Sequence, residues 1–240
     1  VACQLHIALN MMMNNVYKAF TPQIVMSYAR KDFSFFDSLI FRASRLSFFL
    51  VTLVSAPVIL CMNEILSLWL TDVPEYSVIF TQLTVLFCIV ESLSGPLRTA
   101  NQAYGKVWKY MLTVALLSLS IIPVGLLLLR HGFDPVSILV VRLIIGAILL
   151  LFRIFYIRIT MDFPIREYFS RVGSRVLVIM VLLSCLYILL DRIIVLCGFP
   201  KMIVSGGTMF MLTLVSGFFI LLNRNERLLI ENKLLNLWRR

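Results

Sequence analysis

The sequence predicts an all-α fold, a polytopic transmembrane helix bundle with about seven spans. Three observations predict it. The chain of 240 residues is 60% apolar and 14% charged, where soluble domains run near ~45–50% apolar and ~25% charged. Its mean hydropathy is +0.95. The apolar residues also gather in long blocks rather than one-sided stripes, and blocks of roughly 18 or more can cross a bilayer.

Segment one, about residues 1–20, mixes Met and Leu with His6, Asn10, Asn14 and Asn15, and Thr21-Pro22 is expected to end it, because proline disfavours helix at the residue before it. Residues 22–42 read as a polar connection carrying Arg30, Lys31, Asp32 and Arg42. Segment two, about 46–62, contains Pro57, which is expected to kink rather than stop it, since neighbouring helices satisfy a freed carbonyl in lipid. Residues 63–76 read as a loop with Glu64, Asp72 and Glu75 and no Lys or Arg, where Trp69 and Tyr76 have the character of interface anchors. Segment three, about 77–97, holds Glu91 and then Gly95-Pro96. Segment four covers about 110–129, and segment five about 136–157 with Arg142 and Arg153. A basic connection at 158–175 leads to segments six, about 176–190, and seven, about 203–222. In the tail, 223–240, Ile230, Leu234, Leu237 and Trp238 recur at helical spacing, which fits either a short amphipathic helix on the inner leaflet or a solubilising tail.

The charges orient these spans. Net charge is +10, from 22 Lys and Arg against 12 Asp and Glu. In a soluble protein such an excess would suggest nucleic acid; here the basic residues sit between apolar blocks. With alternating connections, 17 of the 22 fall on one side, in 22–45, 98–109, 153–175 and the tail, against Arg130, Arg192 and Lys201 on the other. The positive-inside rule makes the richer side cytoplasmic, so segment one runs inward and the C-terminus lies inside. The chain opens at Val1 in what reads as mid-helix, with no basic n-region or cleavage site; it is expected to be the C-terminal part of a longer protein.

No catalytic constellation is legible. The histidines are His6 and His131, no Gly-rich phosphate loop or nucleophile motif is present, and the outer loops are too short to hold an active site. The cysteines, Cys3, Cys61, Cys88, Cys185 and Cys197, have no CxxC spacing and read as small buried hydrophobes. No metal or cofactor is expected. Polar groups at membrane depth are the remaining signal, because they are costly and face a cavity or a protein partner. His6, Asn10 and Asn14 share a face that Tyr17 continues; this stripe lines a water-filled cavity or holds helices together by hydrogen bonds. Glu91 lies roughly 21 Å below the outer surface by helical rise, as a coupling carboxylate or as the partner of Arg98 at i+7. Arg142 lies about 9 Å deep, snorkelling to the interface or lining a cavity for an anion. That leaves roughly 12 Å of depth between Arg142 and Glu91, too far for a direct pair. Gly95 and Pro96 are candidate hinge residues, expected to bend segment three.

Four stretches carry a resemblance: Asn15 to Val25 (NVYKAFTPQIV), Asp72 to Tyr76 (DVPEY), Glu91 to Leu97 (ESLSGPL) and Thr99 to Lys106 (TANQAYGK). Together they are similar to the C-terminal half of bacterial polysaccharide flippases, the O-antigen and capsule exporters of the superfamily that includes the MATE multidrug transporters. The resemblance implies a partial C-terminal lobe of five spans over 1–160, two additional spans over 161–222 and a cytoplasmic tail over 223–240. It implies a multi-pass protein of the bacterial inner membrane. By alternating access, the intact parent would flip a polyprenyl-diphosphate-linked oligosaccharide between leaflets. The implied partners are membrane lipid, the lipid-linked oligosaccharide and the missing N-terminal lobe, with no nucleic acid. Alternatives are a multidrug or toxin exporter of the same fold and a non-transporting scaffold of a glycan assembly complex. A membrane glycan polymerase is disfavoured because loops 63–76, 130–135 and 191–202 are too short for a catalytic domain.

The topology makes a direct prediction. Single cysteines placed in 98–109 and in 158–175 of a cysteine-free background react with a membrane-impermeant maleimide from the same face. Labelling from opposite faces would overturn the topology.

Overall fold

The computed structural model of the chain describes residues 2–70, 72–105, 107–193 and 199–221. The amphipathic pattern in the tail, Cys197 and Lys106 lie outside the described residues. Within them the secondary structure is helical, without strands. The elements are α1 (Ala2–Ala29), α2 (Phe33–Leu60), α3 (Met62–Trp69), α4 (Ser77–Ala103), α5 (Trp108–Leu119), α6 (Ile121–Arg130), α7 (Val136–Met161), α8 (Ile165–Tyr168), α9 (Ser174–Ile193) and α10 (Phe199–Ile220), with a π turn at Phe169–Gly173 between α8 and α9.

Six helical stretches among the described residues are long and apolar enough to cross a membrane: Phe33–Leu60, Ser77–Ala103, Trp108–Arg130, Val136–Met161, Ile165–Leu190 and Phe199–Ile220. The fold is therefore an all-α polytopic bundle. Helix α1 is also long, at 28 residues, but is not among the six. His6, Asn10, Asn14, Asn15, Lys18 and Gln23 dilute its apolar character.

The element boundaries correct several sequence expectations. Pro22 does not end the first helix, which continues to Ala29. A proline inside a spanning helix removes one donor, and a packed bundle tolerates that loss, so the helix runs on through Pro22. The polar connection expected over 22–42 shrinks to a tight turn. Lys31 takes a left-handed conformation at φ 60°, and Asp32 caps α2 by accepting from the Phe35 amide at 3.1 Å. Residues 33–45 are the first turns of α2, and Phe36, Leu39, Ile40 and Phe41 there are buried. Their charged neighbours disguised an apolar face as a loop. The loop expected at 63–76 contains α3, and the basic connection at 158–175 is largely helical, opening α9 after the π turn. The fourth span divides at Ser120 into α5 and α6. Asp162, left-handed at φ 52°, ends α7 by donating its amide to the Arg158 carbonyl. Cys3 and Cys185 are exposed while Cys61 and Cys88 are buried, so the reading of buried small hydrophobes fails at Cys3 and Cys185.

Helix α4 is the hub, making its most extensive contacts with α7, α1 and α2, while α10 packs on α2 and α9. One apolar core joins Leu9 and Met13 of α1, Phe48 and Val51 of α2, Val85 and Cys88 of α4, Ile179 and Leu183 of α9 and Met209 of α10. A second joins Ile24, Phe36, Ile40, Leu97, Ile154, Ile157 and Phe163. The segment α5–α6 carries Leu112, Leu116, Leu119, Ile122, Leu126 and Leu127 exposed, the surface a lipid-facing span presents.

At Gly95-Pro96 the helix is unbroken: α4 runs continuously from Ser77 to Ala103, with Pro96 inside it. Gly95 serves contact. A Cβ there would fall within the Tyr17 ring, so glycine lets that ring lie against the α4 backbone. Its hydroxyl donates to the Ser92 carbonyl at 3.1 Å, the carbonyl that the Pro96 nitrogen cannot bond. Tyr17 therefore fills two needs of α4, a steric hollow and an orphan acceptor. Gly95→Ala is expected to lower stability by about 1–3 kcal/mol in a detergent thermal melt. The loss shrinks in a Tyr17→Leu background, where the ring is gone; equal losses in both would remove the ring contact as the cause.

Candidate functional site

Five helices, α1, α4, α5, α6 and α7, contribute to a cavity of about 310 Å³. Helix α1 gives His6 and Asn10, spaced i, i+4. Helix α4 gives Phe87, Glu91 and Arg98, at i, i+4 and i+11. The split span gives Val114, Ser118 and Ile121, and α7 gives Arg142, Ile145, Gly146, Leu149 and Arg153. Each set follows helical periodicity, so the same arithmetic that builds the helices gathers these side chains.

The Arg142 end rests on a stack. An added Cβ at Gly146 would stand 2.9 Å from the Phe87 ring, so only glycine lets Phe87 pack that close to α7. The ring lies beneath the Arg142 guanidinium, whose carbon is 4.3 Å from the ring centre, a cation–π contact. His6 Nε2 faces Arg142 Nη2 at 3.4 Å. Arginine only donates, so this nitrogen accepts, and the ring proton sits on Nδ1, 3.2 Å from Cys88 Sγ. Asn10 Nδ2 lies 2.9 Å from the same Nε2 and donates to the His6 carbonyl at 3.1 Å.

The other end carries an ionic cluster. Glu91 lies 3.5 Å from Arg98 and 3.8 Å from Arg153, through its two different oxygens. Arg153 is 4% exposed. Its Nε donates to the Tyr110 hydroxyl at 3.2 Å, and Asn101 Nδ2 donates to its carbonyl at 3.3 Å. Arg153 Nη1, the atom facing Glu91, is buried without a hydrogen bond. The Tyr110 ring in turn stacks on Phe152 and touches Tyr156, which fixes the hydroxyl that holds Arg153.

The structure brings together His6, Asn10, Glu91 and Arg142 of the sequence candidates. Asn14 is exposed and away from the cavity lining, and Tyr17 packs into α4 beside Gly95. The polar stripe on α1 thus divides, its first two members in the cavity and its last member in a helix joint. Glu91 pairs with Arg98 and Arg153, while Arg142 finds His6 and Phe87 instead. Sequence reasoning missed Arg153, which it placed with the cytoplasmic basic residues. A signal was available: Arg142 and Arg153 stand 11 residues apart, three turns along one face of α7. Phe87 and Ser118 carried no signal.

The fold and this site define a multi-pass membrane protein with a charged, partly aromatic cavity between its spanning helices. In comparison with known proteins, no protein-family model, curated protein or solved structure matches the chain. Among the described residues, no group of three or more His, Cys, Asp or Glu could hold a metal ion.

The ion cluster sets an order of stability effects. Arg153→Leu leaves Glu91 facing one half-exposed partner, and is expected to cost about 3 kcal/mol. Arg98→Leu removes a cation whose side chain is 41% exposed, and is expected to cost below ~1 kcal/mol. Thermal melts of the two variants check the order, and a reversed order would show that the Arg153 pair is not what holds α4 to α7.

Proposed function

We propose that the chain is part of a membrane transporter that flips polyprenyl-diphosphate-linked oligosaccharide across the bacterial inner membrane by alternating access, with its C-terminus cytoplasmic. The observation that carries this reading is the charge of the cavity wall: three guanidiniums, of Arg98, Arg142 and Arg153, against one carboxylate, Glu91. A diphosphate diester keeps one negative charge on each phosphorus. The net excess of the wall complements that pair, and guanidinium forks bind phosphate oxygens bidentately. His6, Asn10 and Ser118 on the same wall supply donors and acceptors suited to sugar hydroxyls. The resemblance of the Glu91 to Leu97 and Thr99 to Lys106 stretches to polysaccharide flippases points the same way. An exporter of organic cations would instead favour an acidic cavity, since like charges repel the substrate. The two C-terminal helices, α9 and α10, pack on α2 and extend the bundle, as the additional spans of such a transporter would.

In the host cell, Arg142→Ala is expected to lower surface polysaccharide by roughly tenfold or more, the effect of losing a charge-assisted contact of about 1.4 kcal/mol. Membrane abundance of the protein stays unchanged. Normal polysaccharide at normal abundance would remove Arg142 from the transport route, and loss of drug resistance with intact polysaccharide would favour the exporter.

A further inference from the structure

Glu91 occupies a position that an anionic ligand would need. It is the single carboxylate on the cavity wall among the described residues, and it bridges two of the three guanidiniums, Arg98 at 3.5 Å and Arg153 at 3.8 Å. Those distances are long for charge-assisted hydrogen bonds, which close to ~2.7–2.9 Å when donor and acceptor fit. Arg153 Nη1 remains buried without a hydrogen bond although its residue is 4% exposed and lines the cavity. The carboxylate neutralises this cation without satisfying it. Arg98 is the freer partner, with its side chain 41% exposed against 18% for Glu91.

We propose that Glu91 is a displaceable internal counter-ion, holding Arg98 and Arg153 in the empty cavity and yielding both to a phosphate group of the substrate. The inference rests on the transport reading above and names how the same cavity selects its ligand. A phosphate offers more acceptor oxygens than a carboxylate and reaches the orphan Nη1 together with Arg98. Arg153 does not move to meet it, because the Tyr110 hydroxyl holds Nε at 3.2 Å. The exchange is one anion for another, so the buried guanidinium is neutralised in both states. A neutral or cationic solute cannot make that exchange, and Glu91 thereby rejects it. Glu91 is a specificity-determining residue in this arrangement, and Tyr110 a positioning residue.

The test is binding of inorganic pyrophosphate to the full chain in lipid nanodiscs, measured by isothermal titration calorimetry. Removing the competing charge in Glu91→Gln is expected to tighten pyrophosphate binding by roughly tenfold, the effect of about 1.4 kcal/mol. Glu91→Asp, which keeps the charge but shortens the reach, is expected to fall between wild type and Gln and covers the case in which the Gln variant fails to fold. Wild-type binding with no tightening in either variant overturns the counter-ion and leaves the transport reading intact. Weaker binding in both variants also overturns it, because Glu91 would then only position the arginines. No pyrophosphate binding by wild type or either variant sinks the anion-binding cavity itself, and the transport reading with it.

Discussion

A carboxylate and two guanidiniums sharing one site between spanning helices is the constraint on which the rest of the structure depends. Charges at this depth are tolerated only in company. Glu91 on α4 must therefore meet Arg153 on α7, and the meeting fixes the rotation of both helices about their axes. Once those faces are set, periodicity places Phe87 and Arg98 on one wall and Arg142, Gly146 and Leu149 on the other. The apolar contacts that surround the cluster are less directional. Leu97, Ile154 and Ile157 could pack in several registers; the ionic and hydrogen-bonded atoms accept one.

Lipid supplies no hydrophobic drive for one helix to join another, so close approach has to come from shape. Two glycines show how this chain obtains it. Gly95 lets the Tyr17 ring lie on α4, and Gly146 lets the Phe87 ring lie on α7. Each ring also does a second job: Tyr17 serves the carbonyl that Pro96 orphans, and Phe87 supports Arg142. Packing and polarity are thus joined at the same residues, which is why the α1–α4 and α4–α7 contacts can be both tight and polar.

Helix existence was legible in the sequence and helix ends were not. Long apolar blocks announced the cores of α2, α4, α7, α9 and α10, but charged residues near each end were read as loops. Residues 33–45 and 62–69 are helical because a buried apolar face continues under a polar one, and local composition averages the two. Pro22 was read as a stop, yet the helix continues through it, and α4 likewise runs unbroken through Pro96. Tertiary partners overrode the local penalty, most plainly where Tyr17 reaches the Ser92 carbonyl.

By itself, the sequence determined that the chain is helical and membrane-like, and that His6, Asn10, Glu91 and Arg142 are costly groups in need of surroundings. Composition and period suffice for that, because the cost of polar groups in hydrocarbon depends on depth, and depth follows from residue count along a span. Only the tertiary structure decided which cost is met by which partner. It gave Glu91 a second partner, Arg153, beside the Arg98 that helical spacing had offered, sent Asn14 to the exterior, and moved Arg153 from the basic rim into the wall of the cavity. Those outcomes depend on the relative rotation and register of helices far apart in the chain, which are fixed by packing between elements that no single window of sequence contains.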